Sequence, residues 1–231
     1  MKLKSLAAAL SLVISPMALQ AQNISVTIEN LTQGIIFTPL LVAAHSSSDH
    51  LFETGTSATT ELQMMAEGGD TSGLIADMNA ISATIIDNPA AGLLMPSAST
   101  TGTMDTGSNS YLSLVAMLLP TNDGFVGLDG WEIPSTAGTY TVMLNAYDAG
   151  TEANDEIING GGAPGVPGIP AAPAGDAGMN ATGVTSSESN MMIHIHRGNL
   201  GDDDLMAGKS DLDNTVHRWL NPVAKLTVVV N

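Results

Sequence analysis

The chain has 231 residues, with 6 lysines and arginines against 23 acidic residues, a formal net charge of −17, and no cysteine. This length suits one large all-β domain or at most two small ones. So negative a surface repels nucleic acid and anionic membranes and attracts divalent cations and basic partners, or simply keeps the chain soluble in salty surroundings. Without cysteine there are no disulfides and no thiol nucleophile, so a packed core or a bound metal must provide the stability.

Residues 1–21 have the organisation of a secretory signal peptide. Lys2 and Lys4 form a positive n-region, a short apolar h-region follows, and Ala21 offers a small residue at the cleavage point. The apolar run is too short to span a membrane, and no later run is long enough to do so. We predict a soluble exported chain, secreted or periplasmic, in which residues 22–231 form a single domain and carry a charge of about −19.

Strands and short helices are both predicted in the first part of this domain. Residues 23–31 alternate apolar and polar side chains, as a half-buried strand does. Residues 35–44 are a second predicted strand, in which Pro39 indicates an edge or a bulge. Good helix formers followed by glycines predict two helices, at 58–67 and 72–80.

A predicted loop, residues 88–109, contains several glycines and prolines as breakers. It leads to strands predicted at 111–119, a nearly continuous apolar run, and at 139–147, rich in strand-forming residues. A further strand at 125–133 lies between them in the chain. In an antiparallel sheet, one intervening strand brings the loops that follow the outer two strands to the same end of the sheet.

Both of those loops are acidic and contain glycine. Asp123 follows the first strand, and Asp148 and Glu152 follow the third, so the predicted topology lets the three carboxylates converge. Carboxylates gathered at one place repel each other unless a cation lies between them. A hard, oxygen-rich set of ligands suits calcium best.

The same loops carry a family resemblance. Residues 122–127 read NDGFVG and residues 147–152 read YDAGTE. The pair resembles the signature of the spondin N-terminal domain family, whose animal members read roughly Pro-Asp-Trp-Phe-Val-Gly and Trp-Asp-Ala-Gly-Thr-Asp. The likeness extends from about Ile24 to Val230. Gly124 replaces an aromatic residue, Glu152 replaces an aspartate, and the cysteines that form disulfides in the animal relatives are absent.

This resemblance implies an antiparallel β-sandwich similar to a membrane-binding C2 domain. It also implies calcium at the loops of one end, and a role in adhesion or matrix binding. Together with the residue patterns, it predicts an all-β, C2-like antiparallel sandwich with one or two short helices and long loops. The predicted calcium ligands are Asp123, Asp148 and Glu152.

The last third of the chain contains a second candidate metal site. Residues 160–175 are rich in glycine, proline and alanine and predict a long surface loop. His194 and His196 lie on one face of a strand predicted at 189–197, because side chains alternate along a strand. With His217 they offer zinc or copper a three-histidine site. A C-terminal strand, at 223–230, is expected beside the N-terminal one.

No enzyme motif is found: the chain has no Gly-x-Ser-x-Gly elbow, phosphate loop or recognisable triad. We therefore predict a non-catalytic calcium-binding module, whose partner is an extracellular protein, a glycan or a lipid head group. One alternative is a metalloenzyme or a zinc or copper carrier built on the three histidines. The other is a structural matrix protein that binds no specific metal.

Overall fold

The computed structural model describes residues 21–171 and 177–231. Apart from Ala21, the predicted signal peptide lies outside the described residues, and so do 172–175 of the predicted Gly/Pro-rich loop. The elements in chain order are β1 (Asn23–Asn30), β2 (Ile36–Phe37), β3 (Leu41–His45), α1 (Thr60–Gly68), α2 (Ser72–Ala80), β4 (Thr84–Asp87), β5 (Ser99–Asp105), β6 (Tyr111–Leu119), β7 (Gly124–Glu132), β8 (Gly138–Asp148), β9 (His194–Ile195) and β10 (Ala224–Val230).

The strands form an antiparallel, sandwich-like structure in the order β4-β3-β6-β7-β8-β10-β1-β5, with β2 paired to β6 and β9 paired to β8. Strand β8 serves both halves, since its residues 138–144 pair with β10 and its residues 145–148 pair with β7. The two ends of this order approach each other where β4 meets β5. There a Cβ added to Gly102 would lie 2.8 Å from Cγ2 of Ile86. The all-β prediction is confirmed.

Strand β6 is apolar along nearly its whole length because both of its faces are buried. One face, with Leu114 and Ala116, contributes to the core between the two halves of the sandwich. The other face, with Val115 and Met117, packs in a second core that includes Leu62, Met65, Leu74 and Met78 of the helices. Alternate side chains of one strand thus fill two different cores.

Two predicted helices and one predicted strand pairing agree with the structure. Helix α2 spans the predicted residues 72–80, and α1 begins at Thr60 after Thr59, whose Oγ1 accepts a hydrogen bond from the backbone N–H of Leu62. Gly69 ends α1 with a left-handed backbone, as a glycine C-cap does. Strands β1 and β10 are neighbours, with Ile24 opposite Val230.

Two strand predictions need correction. The predicted strand 35–44 is divided at Pro39 into β2 and β3, because proline donates no backbone hydrogen bond to a ladder. Strand β3 is not an edge, since β4 and β6 flank it. The strand predicted at 189–197 is reduced to the two residues of β9, which pair with the end of β8.

The loop predicted at 88–109 is also wrong, because it contains β5. This strand pairs with β1 and carries small and polar residues with only Met104 buried, so hydrophobic periodicity does not reveal it. Strand β4, just before this segment, was likewise not predicted. Both are outer strands of the sheet order, where pairing depends on a neighbour distant in sequence rather than on local pattern.

Candidate functional site

The two acidic loops meet at one end of the sheet. Strand β7 runs back from the first loop, and β8 returns to the same end, where Gly124 lies opposite Asp148 in the antiparallel ladder. The loops are joined further by a hydrogen bond of 3.2 Å from the backbone N–H of Ala149 to the carbonyl of Asp123. The predicted arrangement, with one strand between the two loop-bearing strands, is confirmed.

Asp123 is completely buried between the loops. Its Oδ2 accepts hydrogen bonds from the backbone N–H groups of Thr151 and Glu152, at 2.8 and 3.1 Å. Its Oδ1 is buried and has no hydrogen-bond partner. Burial, followed by the negative charge of Asp148, raises the pKa of Asp123 to about 8, although the two backbone donors oppose the shift.

Asp148 is also buried, but both of its oxygens are hydrogen-bonded. Oδ1 accepts from the backbone N–H of Gly150 at 2.9 Å, and Oδ2 accepts from Nδ2 of Asn154 at 2.7 Å. The Nε2 atoms of His194 and His196 lie 3.8 and 4.0 Å from Oδ2. Burial raises the pKa of Asp148 above its ordinary value, and the hydrogen bond from Asn154 is the largest opposing influence.

Glu152 reaches from the second loop towards the first loop and the Gly/Pro-rich segment. Its Oε2 accepts from the backbone N–H of Gly168 at 3.1 Å and more distantly from Nδ2 of Asn122, at 3.4 Å. Its Oε1 is buried without a partner. Burial raises the pKa of Glu152 to about 7, and the negative charge of the nearby Glu67 adds to the increase.

Two glycines allow neighbouring side chains and backbone to lie close to the acidic loops. Gly150 has a φ of +70°, and a Cβ there would lie 2.7 Å from the backbone carbon of Met191. At Gly124, a Cβ would lie 2.8 Å from Oγ1 of Thr121 and 3.1 Å from the ring of His196. The ring of His196 therefore lies directly against Gly124.

The acidic cluster offers oxygen atoms that suit a hard cation, but its side chains alone do not form a complete metal site. Two buried carboxylate oxygens, on Asp123 and Glu152, have no partner, although a buried polar atom is normally hydrogen-bonded. Across residues 21–171 and 177–231, however, no group of three or more His, Asp or Glu side chains is arranged to hold a metal ion. Calcium binding would therefore require backbone carbonyls or water as further ligands.

The histidines do not form the predicted three-histidine site within the described part of the chain. His196 is buried, its Nδ1 accepts from the N–H of Gly198 and its Nε2 donates to Oδ1 of Asn154, so neither nitrogen has a free lone pair. Burial lowers the pKa of His196 to about 3, which keeps its ring neutral. Nδ1 of His217 instead accepts from the N–H of Asp213 at 3.1 Å.

Sequence reasoning missed the amides that hold the carboxylates in place. Asn122 donates to Oδ1 of Asp155 at 2.9 Å and accepts from the N–H of Glu156 at 3.2 Å, which joins the two loops side by side. Asn154 connects Asp148 to His196. The position of Asn122 next to Asp123 was the one available signal, but its partners lie more than 30 residues away.

A serine–histidine pair was also missed. Nε2 of His45 lies 2.7 Å from Oγ of Ser113, which also accepts a hydrogen bond from the N–H of Gly130. Ser113 is fully buried, and the register of β6 against β7 shifts beside it, between Leu112 and Leu114. In this arrangement the pair satisfies polar groups at an irregularity of the sheet.

Comparison with known proteins places both acidic loops within a family match. A family model described as Spondin_N matches residues 30–156, more than half of the chain, and the range includes Asp123, Asp148 and Glu152. This range is shorter than the likeness expected from 24 to 230. No curated protein matches the chain. Among the described residues, no helix is long and apolar enough to cross a membrane.

Proposed function

The chain belongs to the spondin N-terminal domain family, and this membership indicates an extracellular module. From this premise we propose that the chain is a non-catalytic calcium-binding module that acts in adhesion or matrix binding. In this proposal the chain is exported, and calcium is held where the two acidic loops meet. The ion organises the loops that face a partner, which is an extracellular protein, a glycan or a lipid head group.

The observation that carries the proposal is the pair of unpartnered oxygens, Oδ1 of Asp123 and Oε1 of Glu152. A buried acceptor without a donor costs about 1–3 kcal/mol, and a cation removes that cost by accepting the lone pairs. The raised pKa values of both acids have the same cause, because burial without a counter-charge favours the protonated form. Described lysines and arginines form no ion pair with either acid.

Asp123, Asp148 and Glu152 are the proposed protein ligands. Asp123 and Glu152 contribute the oxygens that have no other partner, and Asp148 provides a neighbouring negative charge that favours a divalent cation over a monovalent one. Calcium bound here supplies the positive charge that the cluster lacks. Because Asp123 already accepts two N–H groups of the second loop, an ion on its other oxygen holds both loops together.

The test is thermal unfolding of the mature chain after chelator treatment, with and without about 2 mM calcium. An ion present at about 100 times its Kd adds about 2.7 kcal/mol of stability, which corresponds to a rise in Tm of about 5–10 °C for a chain of this size. We expect Asp123→Asn and Asp148→Asn to abolish the rise. Asp123→Asn is the sharper variant, since its amide oxygen retains the hydrogen bonds from Thr151 and Glu152.

Asp203→Asn is the matched control, because it removes one exposed carboxylate from a different loop and should retain the full calcium response. Magnesium at the same concentration separates a calcium site from general charge screening. The proposal is wrong if calcium shifts neither the parent nor the control, or shifts all three aspartate variants equally. Far-ultraviolet circular dichroism establishes that each variant is folded.

A further inference from the structure

A cavity of about 400 Å³ lies beside the second acidic loop and is lined in part by Glu152. Three segments form it: the second acidic loop, the Gly/Pro-rich segment and a loop at 182–186. Its lining residues are Thr151, Glu152, Ala153, Asp155, Ile157, Gly165, Pro167, Thr182, Gly183, Thr185 and Ser186. A volume of this size accommodates a small ligand or the end of a long side chain.

Specific hydrogen bonds hold the walls of this cavity. The N–H of Gly165 donates to Oε2 of the buried Glu67 in α1 at 2.6 Å, and the N–H of Gly168 donates to Glu152. On the opposite side, the N–H of Val184 donates to the carbonyl of Asp155 at 2.9 Å. The Gly/Pro-rich segment is thus attached to the body of the domain at residues 165 and 168, so the cavity is a built feature.

The residues that line the cavity include acidic side chains and no basic side chain that could balance their charge. The lining residues include two acids, Glu152 and Asp155, and no lysine, arginine or histidine. Glu152 is only 6% exposed, and its Oε1 accepts no hydrogen bond. Threonine and serine hydroxyls add further acceptors, while Ala153, Ile157 and Pro167 provide apolar surface.

We propose that this cavity binds a primary alkylammonium group, between the carboxylates of Glu152 and Asp155. An ammonium has three N–H donors and no acceptor, which complements two carboxylates and neighbouring hydroxyls. Its aliphatic stem packs on the apolar part of the lining, as lysine stems do on apolar surfaces. The ligand is a free amine or the lysine side chain of a partner, since both present the same group.

This proposal goes beyond the calcium site but shares Glu152 with it. Asp155 is the discriminating residue, because it lines the cavity and is not a proposed calcium ligand. Calcium that binds Glu152 withdraws one of the two carboxylates from the ammonium. Saturating calcium should therefore weaken amine binding, and Asp155→Asn should leave the calcium response intact.

The test is a titration of the 15N-labelled mature chain with n-butylammonium chloride in chelator, followed by amide chemical shifts in NMR spectra. We expect saturable shifts confined to the amides of residues 151–157, 165 and 182–186, with a Kd on the order of millimolar. n-Butanol has the same stem without the charge and should give no saturable shift. Asp155→Asn should weaken binding at least about tenfold.

Asp203→Asn is again the control for net charge, and it should bind n-butylammonium as the parent does. The side-chain amide of Asp155→Asn can still accept the hydrogen bonds from Ile157 and Asn122, so the variant should remain folded. Its dispersed amide spectrum verifies this. Equal binding by Asp155→Asn and the parent, equal shifts with n-butanol, or no saturation overturns the proposal.

The source of the amine is distinguished by a second titration, with the peptide Gly-Gly-Lys-Gly-Gly and its Gly-Gly-Gln-Gly-Gly counterpart. Binding of the lysine peptide with the same local shifts supports a partner side chain, whereas binding of n-butylammonium alone supports a free amine. Failure of both probes while calcium still raises Tm rejects the cavity proposal and leaves the calcium proposal standing. Amine binding without a calcium-dependent rise in Tm rejects the calcium proposal and leaves the cavity proposal standing.

Discussion

The backbone N–H of Glu152 donates a hydrogen bond to Asp123, although the side-chain carboxylates of the two residues repel each other. Oδ2 of Asp123 accepts a hydrogen bond from the N–H of Glu152 at 3.1 Å. Burial and the charge of Asp148 raise the pKa of Asp123 most, and the negative charge of the Glu152 carboxylate adds a smaller increase. The contact therefore fixes the loops together and concentrates negative charge at the junction. Its stability depends on whether a proton or a cation is present there.

Removing the charge of Asp123 should stabilise the metal-free protein. Asp123→Asn retains an oxygen for the N–H groups of Thr151 and Glu152, and it eliminates a buried charge and its repulsion by Asp148. We expect a gain of about 1–2 kcal/mol in the free energy of unfolding at pH 8 without calcium. Urea unfolding in chelator measures it. An Asp123→Asn protein less stable than the parent would contradict the repulsion argument.

Without calcium, stability should fall as pH rises from 6.5 to 8.5. Asp123 and Glu152 have folded pKa values of about 8 and about 7, above their ordinary values of 3.8 and 4.5. The folded state therefore binds more protons than the unfolded state in this range and loses that advantage as they dissociate. The expected loss is about 2–3 kcal/mol.

Between pH 6.5 and 8.5, the effect of Asp123 and Glu152 on stability can be separated from that of His196. The buried His196, with its pKa of about 3, remains neutral in the folded protein, so its contribution lies mainly at lower pH. Saturating calcium replaces the protons and should reduce the pH dependence, and Asp123→Asn should reduce it in chelator. A free energy of unfolding that is constant or increasing from pH 6.5 to 8.5 in chelator would refute this assignment.

Zinc should not reproduce the effect of calcium through the histidines. Both nitrogens of His196 are hydrogen-bonded, so at most the half-buried His194 remains as a ligand from that pair. We expect zinc to shift Tm by less than about 1 °C and His194→Ala to change nothing further, since a single imidazole ligand binds zinc weakly. A large zinc response lost in His196→Gln would restore the three-histidine hypothesis.

The closure of the sandwich at β4 and β5 should depend on Gly102. A valine there would place its Cβ 2.8 Å from Cγ2 and 3.0 Å from Cδ1 of Ile86, so either the Ile86 side chain or the two strands must shift. We expect Gly102→Val to cost about 1–3 kcal/mol in urea unfolding, the usual penalty for overpacking. Thr103→Val, one residue further along β5 at an exposed position, should change stability by less than about 0.5 kcal/mol.

Local patterns in the sequence were sufficient to identify the central frame of the molecule. Three patterns reflect the local environment of the residues that form them. The apolar run of β6 and the alternation of β1 reflect burial in a core, and the glycine after α1 reflects the end of that helix. The two acidic loops were recognised by their composition and by their resemblance to a family signature. One intervening strand then determined that they share an end of the sheet.

Only the tertiary structure decided which oxygens remain unpartnered and which histidines can bind a metal. Glu152 accepts hydrogen bonds from Gly168 and Asn122, whereas His196 accepts one from Gly198 and donates one to Asn154. Most of these partners are distant in the chain. The outer strand β5 is similar, because its pairing with β1 joins segments about 75 residues apart, as the Thr27–Thr101 pair shows. Sequence determines the chemical groups that are present, whereas burial and long-range pairing determine which of them remain free to act.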